Sequence, residues 1–452
     1  MAGRIDPVPA DVLAAIFKAY DIRGIYPEEL DAPVTRAVGY AFAAWSATAQ
    51  VVLARDMRES GVALAEAFAD GVQAAGADVI DIGLASTDLL YFAAGHLDVP
   101  GAMLTASHNP ASYNGIKLCG PGAVPVGVGT GLDEIAGRAA RGALSPPGGG
   151  GRRNRDLLDT FAAHVRSFVD VAALEPLRVV ADTANGMGGL VVPAVFGPLP
   201  FEWELMYGEL DGTFPNHPAD PIQPENLVDL SERVRSTGAD VGLAFDGDAD
   251  RVFLVDERGT PVSGSLLTAL VAQAMLARHG PGPILHNLIC SRAVPEVIAE
   301  AGGRPMRTRV GHSFIKAEMA RTGAVFGGEH SGHYYFAGNY RADSGLIAAL
   351  VALERLSAAQ VPLSELLAPL DRYASSGEIN TRVADVDEVL RRVAAHFAEF
   401  PHDPLDGLTV DGGDWWFNLR PSNTEPLLRL NLEAPDADAV AARVSKIVSL
   451  LA

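Results

Sequence analysis

The chain has 452 residues, a length that argues for two to four domains and against a single small binding module. Its 35 lysines and arginines stand against 56 aspartates and glutamates, and the net charge of −21 disfavours nucleic acid or an anionic membrane surface as a partner, because clustered basic residues hold such partners. An anionic substrate would have to be captured by a local group of basic residues. The apolar fraction of 48% is ordinary for a globular protein.

The two cysteines, Cys119 and Cys290, lie far apart and form no metal-binding spacing, so neither a disulfide framework nor a zinc site is expected. The N-terminus has no basic flank followed by an apolar core. The apolar stretch 346–353 is much shorter than the ~20 residues that span a bilayer. We therefore expect an unprocessed, soluble, cytoplasmic protein.

Short apolar runs alternate with Ala-rich stretches of helical period along most of the chain, which predicts an α/β fold. In the first part, the predicted elements are strands at 51–53, 78–82 and 101–104 and a helix at 60–75. Residues 144–155 contain two prolines and four consecutive glycines, so we predict a linker or surface loop there.

Two further α/β parts and a smaller α+β part are predicted to follow. The second part has strands at 178–181 and 241–245, an acidic loop and a hairpin at 256–259. The third part has a helix at 266–278 and a strand at 283–288. The last part, from about residue 373, has strands at 378–383 and 415–419 and helices at 386–397 and 436–451.

A polar loop directly follows the predicted strand 101–104, with the sequence Thr105-Ala106-Ser107-His108-Asn109-Pro110. Ser107 is a candidate nucleophile, because α/β sheets place ligands at the carboxyl ends of their strands. His108 and Lys117 are candidates for stabilising negative charge on it. The alternative is an ordinary turn, which this composition also favours.

The strongest single motif is the loop Asp246-Gly247-Asp248-Ala249-Asp250-Arg251, between two apolar runs that read as strands. Three carboxylates at alternate positions repel one another unless a cation neutralises them, and hard oxygen ligands favour Mg²⁺. An EF-hand is the competing interpretation, but Arg251 stands where that loop requires glycine and both flanks are strand-like. A solvated acidic turn is the remaining alternative.

Two more loops have polar groups suited to a phosphorylated sugar. Residues 327–333 combine glycines with Glu329, His330, Ser331 and His333, which favours sugar binding over zinc because no HExxH motif is present. The second loop, which begins at Arg420, offers hydroxyl, amide and guanidinium groups that suit a phosphate. The alternative is a hairpin loop with a surface arginine. Its residues are Arg420, Ser422, Asn423 and Thr424, with Arg429 after them.

Near the start, Tyr20 and Arg23 lie in the run Tyr20-Asp21-Ile22-Arg23-Gly24, which is either an anion contact or a surface turn. His312, after Gly311, is a candidate general acid or base because the pKa of histidine lies near neutrality. A solvated loop histidine is the alternative.

Taken together and in this order, these motifs resemble the α-D-phosphohexomutase family, in its phosphomannomutase/phosphoglucomutase branch. The resemblance spans almost the whole chain. It implies four domains around a central cleft, three α/β domains of similar topology and a smaller C-terminal α+β domain. The predicted domains are 1–152 with the phosphoserine, 153–256 with the metal, 257–370 with the sugar loop and 371–452 with the phosphate loop.

The resemblance also implies a role for each matching residue. Ser107 is expected to be phosphorylated and, with Asp246, Asp248 and Asp250, to bind one Mg²⁺ per chain. The other implied catalytic residues are His108, Lys117, Arg251 and His312. The implied substrate-binding residues are Tyr20, Arg23, Glu329, Ser331, His333, Arg420, Ser422, Asn423, Thr424 and Arg429.

The implied reaction interconverts hexose 1-phosphate and hexose 6-phosphate through a phosphoserine enzyme and a hexose 1,6-bisphosphate, which is also the activator. Mannose is the favoured hexose and glucose the second candidate. Phosphoglucosamine mutase and a metal-assisted serine hydrolase are the alternatives, although no G-x-S-x-G motif is present.

Two departures stand out. Ala249 replaces a glycine of many members, a change that we expect to be tolerated because this side chain need not bind the metal. In the segment 287–292, apolar residues stand where some members have a lysine facing the substrate, so that cation is either missing here or supplied by Arg292 or Arg309.

Overall fold

The computed structural model describes residues 4–144, 149–421 and 427–451. The chain forms two compact units, Met1–Val262 with Ser331–Ser364, and Ser263–His330 with Glu365–Ala452. In the described ranges, no helix has both the length and the apolar character needed to cross a membrane. The two cysteines are buried, and neither is in a disulfide within these ranges.

The first unit begins with a six-stranded mixed sheet. In spatial order its strands are Ile22–Ile25, Tyr113–Cys119, Gly101–Leu104, Gln50–Arg55, Asp78–Leu84 and Arg152–Asn154. The accompanying helices are Ala10–Ile16, Ala32–Ser46, Ser60–Ala74, Thr87–Leu97 and Leu132–Arg141. The strands Arg4–Ile5 and Ala143–Leu144 pair separately. Aliphatic and aromatic side chains fill the space between helices and sheet, with Phe42 and Phe68 fully buried.

The prediction of a linker at 144–155 is partly wrong. Arg152–Asn154 is an edge strand that pairs in parallel with Asp78–Leu84. Its side chains are polar and exposed, so the backbone pairing leaves no hydrophobic periodicity in the sequence. Residues 145–148 of the predicted linker lie outside the described residues.

A second, five-stranded sheet belongs to the same unit. Its strands, in spatial order, are Glu202–Met206, Arg178–Asp182, Val241–Phe245, Val252–Asp256 and Pro261–Val262. Its helices are Leu158–Arg166, Gly188–Phe196 and Val228–Thr237. The central strand Val241–Phe245 is buried along its whole length, as a strand covered on both faces requires. The strand Tyr334–Phe336 and the helix Gly345–Ala359 complete the unit, and the short helix Leu363–Leu367 follows.

The second unit contains one group of parallel strands and one antiparallel sheet. Pro283–Asn287 pairs in parallel with Arg304–Thr308 on one side and Phe326–Gly328 on the other, with helices Gly264–His279, Ala293–Glu300 and His312–Thr322. The C-terminal antiparallel sheet has the order Ala374–Arg382, Leu427–Ala434, Trp416–Pro421, Leu408–Asp411 and His402–Asp403. It packs with helices Val386–His396 and Ala437–Ser449.

Most predicted elements are confirmed with small shifts at their ends. The helix predicted at 266–278 is Gly264–His279, and the helix predicted at 436–451 is Ala437–Ser449. Asp436 caps the latter, because its side chain accepts a hydrogen bond from the Ala439 N–H. The hairpin predicted at 256–259 joins Val252–Asp256 to Pro261–Val262.

Candidate active site

The acidic loop of the first unit joins two directly paired antiparallel strands, Val241–Phe245 and Val252–Asp256. Because both flanks are strands, an EF-hand is excluded. Asp246, Asp248 and Asp250 are each at most 1% exposed, and their ligand atoms lie within 4.8 Å of one another. The loop therefore forms a compact, buried group of carboxylates, which is a candidate metal site.

Lys117, on the strand Tyr113–Cys119, neutralises part of this charge. Its Nζ lies 2.7 Å from Asp248 Oδ2 and 2.6 Å from Asp250 Oδ2. Burial opposes the charge of Lys117, but the two carboxylates outweigh it and raise the pKa of the lysine well above its ordinary value. Lys117 is therefore charged and holds two of the three carboxylates together.

The pKa values of the carboxylates separate according to their neighbours. Burial raises the pKa of Asp246 well above its ordinary value, and the charges of Asp250 and Asp248 add to that effect, although Arg251 opposes it. Burial also acts on Asp248, but the charge and hydrogen bond of Lys117 lower the pKa of that carboxyl. Without a further cation, Asp246 therefore holds a proton more readily than Asp248 does.

Ser107 is directed at this carboxylate group. Its Oγ donates a hydrogen bond of 2.7 Å to Asp246 Oδ2 and lies 3.2 Å from His108 Nδ1. The backbone of Ser107 is left-handed, with φ of 49°, a conformation that L residues other than glycine adopt at a cost. Strained backbone of this kind is typical of functional sites, where the surrounding structure maintains it.

Arg58 maintains the loop around Ser107. It is 1% exposed, and its guanidinium donates hydrogen bonds to the carbonyl oxygens of Ser107 at 2.9 Å, Asn109 at 2.6 Å, Pro110 at 2.8 Å and Tyr113 at 2.9 Å. Its Nε also donates to Asp56 Oδ2 at 3.2 Å. One buried side chain thus connects both ends of the loop to the segment that follows the strand Gln50–Arg55.

Other cations surround the same loop. Arg23 donates to Asp21 Oδ2 at 2.7 Å and to Asn109 Oδ1, and Arg251 donates to Asp246 Oδ2 at 2.9 Å. Burial lowers the pKa of His108 well below its ordinary value, and Arg251 and Arg23 add to this shift. His108 is therefore neutral at pH 7. Tyr20 is half-buried in the segment before the strand Ile22–Ile25.

Two contacts from elsewhere in the first unit support the acidic loop. Thr87 Oγ1 donates to Asp248 Oδ2 at 2.6 Å, and the Thr87 N–H donates to the Asp248 carbonyl at 3.0 Å. His333 Nε2 lies 3.7 Å from Asp250 Oδ1 and 4.0 Å from Asp343 Oδ2. The other ring nitrogen of His333 lies 3.2 Å from Ser331 Oγ. The His333 ring therefore lies between Ser331 and Asp250 and contacts both.

Glu329 of the second unit is 2% exposed and held by two donors. The Gly311 N–H and Asn287 Nδ2 each donate to its Oε1 at 3.1 Å. Asn287 ends the strand Pro283–Asn287, and its Nδ2 also lies 3.0 Å from His330 Nδ1. Asn287 therefore orients both Glu329 and His330.

Arg420 and Arg429 share one partner in the second unit. Arg420 Nη2 lies 2.8 Å and Arg429 Nη1 lies 3.5 Å from the carboxylate of Glu378. Ser422, Asn423 and Thr424, predicted to belong to the same phosphate-binding loop, lie outside the described residues, as does the side chain of His312. The helix His312–Thr322 begins at that histidine.

Comparisons with known proteins agree along the whole chain. Four family models of phosphoglucomutase/phosphomannomutase match in order: α/β/α domain I at residues 14–143, domain II at 159–259, domain III at 263–373 and the C-terminal domain at 378–450. Proteins named "Phosphohexose mutases" in Xanthomonas campestris pv. campestris and "Phosphomannomutase" in Salmonella montevideo are 42% and 40% identical. In each case the match covers 96% of this chain and 98% of the relative.

The crystal structure of a phosphoglucomutase/phosphomannomutase family protein from Burkholderia thailandensis superimposes with a TM-score of 0.89 at 34% identity, and the match covers 97% of each chain.

The chain belongs to the phosphoglucomutase/phosphomannomutase family. It is thus an isomerase of the phosphohexomutase type, with three α/β domains and a smaller C-terminal domain.

The sequence did not reveal three residues of this phosphohexomutase that donate hydrogen bonds to predicted site residues. They are Arg58, Thr87 and Asn287. Each lies at or just beyond the carboxyl end of a parallel strand, namely Gln50–Arg55, Asp78–Leu84 and Pro283–Asn287. That position is itself a signal of function in α/β sheets, and it could have identified all three. Their hydrogen-bond partners are distant in sequence and could not have been read from it.

Proposed function

We propose that this chain is a Mg²⁺-dependent phosphohexomutase that interconverts hexose 1-phosphate and hexose 6-phosphate, with mannose as the preferred hexose and glucose as a second substrate. The observation that carries the proposal is Ser107, whose Oγ lies 2.7 Å from Asp246 within the buried carboxylate group. A serine beside a metal site, with Arg23, Lys117 and Arg251 nearby, suits a residue that carries a phosphoryl group.

The carboxylates fit a divalent cation. Among the described residues, neither Asp248 Oδ1 nor Asp250 Oδ1 has a hydrogen-bond partner, although both atoms are buried. Unsatisfied buried oxygens of hard character are suited to Mg²⁺, with Ser107 as the fourth protein ligand. When bound, Mg²⁺ would stabilise the negative charge that develops on the transferring phosphoryl group.

The proposed reaction has two phosphoryl transfers. In the first, the bond between Ser107 Oγ and phosphorus breaks with its electron pair remaining on Oγ, and a bond forms from phosphorus to the free hydroxyl oxygen of the hexose monophosphate. The proton of that hydroxyl passes to a base, for which His312 is the proposed residue. In the second, the other phosphate of the resulting hexose 1,6-bisphosphate is transferred to Ser107, and the proton returns to the sugar oxygen that it leaves. Added hexose 1,6-bisphosphate would therefore activate an enzyme that has lost its phosphoryl group.

The remaining assignments belong to the same proposal. His108, Lys117 and Arg251 support the charge of the transferring group. The hexose and its non-reacting phosphate are bound by Tyr20, Arg23, Glu329, Ser331, His333, Arg420, Ser422, Asn423, Thr424 and Arg429. The segments 1–152, 153–256, 257–370 and 371–452 then supply the phosphoserine, the metal ligands, the sugar loop and the phosphate loop.

The test is a ³¹P NMR assay with mannose 1-phosphate, glucose 1-phosphate and glucosamine 1-phosphate offered separately, with Mg²⁺ and a trace of hexose 1,6-bisphosphate. We expect 6-phosphate from mannose first and from glucose second, and none from the Ser107→Ala variant. Formation from glucosamine alone would make the chain a phosphoglucosamine mutase. Release of inorganic phosphate without 6-phosphate would make it a hydrolase.

Mass spectrometry of freshly purified protein provides an independent test of the carrier residue. Phosphate is expected on Ser107. Phosphate found reproducibly on another serine, with Ser107 unmodified, would overturn the mechanism.

A further inference from the structure

We propose that His217 is a positioning residue, which in its doubly protonated form holds residues 207–220 against Arg58 and Arg251. Loss of one proton from His217 would release this segment and slow phosphoryl transfer. The effect on rate rests on the proposed function, whereas the anchoring of the segment does not. The residues that carry the inference all lie within the first unit.

The 207–220 segment follows the strand Glu202–Met206 and contains neither helix nor strand. Two of its residues, Tyr207 and Phe214, are left-handed, with φ of 51° and 53°, although neither is glycine. Such a backbone costs energy and persists only where the surroundings impose it. The segment therefore depends on its contacts with other parts of the first unit.

One set of contacts attaches the segment to Asp182 and the loop that follows it. Asn185 Nδ2 donates to the Glu209 carbonyl at 2.9 Å, and Asn185 Oδ1 accepts from Asn216 Nδ2 at 2.8 Å. His217 provides a further anchor, because its Nε2 lies 3.0 Å from Asp182 Oδ2. Amide groups do not titrate, so among these contacts the pair of His217 and Asp182 is the one that responds to pH.

Both ring nitrogens of His217 face an acceptor. Nδ1 lies 2.9 Å from the carbonyl oxygen of Pro218, and Nε2 lies 3.0 Å from Asp182 Oδ2. A neutral imidazole has only one N–H, so it would turn a lone pair towards one of these oxygens. The doubly protonated ring donates to both. The contacts therefore favour the imidazolium ion.

The charged groups around His217 agree with this state. Burial opposes the charge of the ring, but the hydrogen bond and the charge of Asp182 outweigh it and raise the pKa of His217 above its ordinary value. The Tyr207 ring contacts the imidazole edge-on, with centroids 5.4 Å apart, and its hydroxyl donates to Asp229 Oδ2 at 2.7 Å. Asp229 adds a smaller attraction. Because folding raises this pKa, the anchor is complete at low pH and is lost as pH rises through the pKa of His217 in the folded protein.

Before His217 in the chain, the segment packs on Arg58. The centroid of the Phe214 ring lies 5.1 Å from Arg58 Cζ, a cation–π contact. The backbone also approaches closely, since a Cβ atom at Gly212 would lie 2.7 Å from Arg58 Cα. Arg58 in turn donates to the Ser107 carbonyl at 2.9 Å. Displacement of this part of the segment would therefore loosen the residue that positions Ser107.

After His217 in the chain, the segment reaches Arg251. Asp220 Oδ1 lies 3.3 Å from Arg251 Nη2, and Arg251 Nε donates to Asp246 Oδ2 at 2.9 Å. Asp220 thus shares Arg251 with the acidic loop. Because His217 lies between Phe214 and Asp220 in the chain, one protonated ring holds the contacts with both arginines in place.

The first test measures the protonation of His217 by long-range ¹H–¹⁵N NMR of the imidazole nitrogens in the full chain. His217→Gln assigns the signal, and His279→Gln, at the exposed end of the helix Gly264–His279, is the control. At pH 6.5, the ordinary pKa of histidine, we expect the doubly protonated ring to predominate. A predominantly neutral ring at this pH would overturn the proposal.

The Asp182→Asn variant separates the charge from the hydrogen bonds. Asparagine keeps an oxygen for the Ala184 N–H, which donates to Asp182 Oδ1 at 2.9 Å. Its NH₂ group can donate to His217 Nε2 while Nδ1–H donates to the Pro218 carbonyl, so a neutral ring meets both partners. The segment should then remain anchored at pH values where the wild type has lost its proton. His217→Gln, by contrast, should weaken the anchor at every pH.

Amide hydrogen exchange of the peptide 207–220, measured between pH 6 and 9, reports release of the segment. At each pH the wild type is compared with Asp182→Asn, because this peptide has the same sequence in both proteins. The ratio of wild-type to variant exchange should rise about tenfold as His217 loses its proton, the order expected when one proton stabilises the anchored form. A ratio that is constant over this range would overturn the proposal.

The ³¹P assay tests the consequence for catalysis. As pH rises through the pKa of His217, the kcat of the wild type should fall about tenfold relative to Asp182→Asn, with little change in KM, since small displacements of reacting groups lower rates by this order. His217→Gln should have the lower kcat at every pH. A kcat ratio that does not change with pH would overturn the positioning role. Absence of turnover with every hexose phosphate would count against the proposed mutase, and the exchange measurement would still decide whether His217 anchors the segment.

Discussion

The guanidinium of Arg58 and the carbonyl oxygen of Ser107 lie 2.9 Å apart, in a contact that is fully buried. The same guanidinium reaches three further carbonyls of the loop that follows Ser107. Ser107 is left-handed, a conformation that costs energy and persists only when its surroundings impose it. Arg58 is therefore a positioning residue for the proposed phosphoryl carrier.

The Arg58→Lys variant should lose activity while remaining folded. Lysine keeps the charge beside Asp56 but cannot reach four carbonyls, so Ser107 should shift. A displacement of about 1 Å in a reacting group costs roughly 100-fold in rate. We expect a fall of that order in kcat with little change in KM or in Mg²⁺ affinity. Arg233→Lys, at an exposed ion pair with Glu204, is the control. Wild-type kcat in Arg58→Lys would contradict the positioning role.

The backbone at Gly247 closely approaches Ser107. A Cβ atom at Gly247 would lie 2.4 Å from the Ser107 carbonyl oxygen, which is closer than van der Waals contact permits. Gly247→Ala should therefore displace Ser107 or the acidic loop, lowering the free energy of unfolding by about 1–3 kcal/mol and reducing turnover. Gly282→Ala, where an added Cβ meets no atom within 4 Å, is the matched control. Chemical denaturation measures the change in stability, and the ³¹P assay measures the change in turnover. A Gly247→Ala variant with wild-type stability and turnover would contradict this prediction.

Lys117 and a bound cation would both neutralise the carboxylates of Asp248 and Asp250. Its Nζ contacts Asp248 Oδ2 and Asp250 Oδ2 at 2.7 and 2.6 Å. Lys117→Met should tighten Mg²⁺ binding about tenfold, because the bound cation no longer meets the repulsion of a nearby ammonium group. The metal-free variant should be less stable than the wild type, since the buried carboxylates lose their counter-charge.

Titration calorimetry and melting curves with and without Mg²⁺ test this prediction, and Lys18→Met, at an exposed lysine, is the control. Turnover should fall in Lys117→Met even though the metal binds better. Weaker Mg²⁺ binding in this variant would show that the charge of Lys117 does not oppose the cation.

The sequence was sufficient for the elements and motifs that have a local pattern. The alternating aspartates of 246–250 predicted a carboxylate group that the structure confirms as compact and buried. The edge strand Arg152–Asn154 could not be predicted, since its stability comes from backbone pairing with a strand about 70 residues earlier. Arg58, Thr87 and Asn287 were missed because their roles arise from contacts that only the folded chain creates.

Ala249 is a further feature that the sequence could not predict, although it lies within a recognised motif. It was expected to be tolerated because it need not bind the metal, yet it adopts the left-handed conformation with φ of 59°, which favours glycine. A backbone angle cannot be read from the residue type alone.

Asp88 should make stability depend on pH. Burial raises the pKa of Asp88 to about 7, from an ordinary value of 3.8, although Ser86 and Ser344 both donate hydrogen bonds to its carboxylate. Because the folded state holds this proton more tightly than the unfolded state, its contribution to stability is complete below pH 3.8 and is lost as pH rises towards 7. An Asp88→Asn variant lacks that proton and should lack the dependence.

The comparison is made between pH 5 and 7 by urea denaturation. Over that interval the free energy of unfolding of the wild type should fall by about 2 kcal/mol relative to Asp88→Asn, as expected for one group that binds a proton on folding. The other carboxylates titrate in both proteins, so their contributions cancel in the difference between the two free energies of unfolding. Parallel curves, or a wild type that gains stability relative to the variant as pH rises, would show that Asp88 is ionised in the folded protein. In that case its hydrogen bonds from Ser86 and Ser344 outweigh its burial.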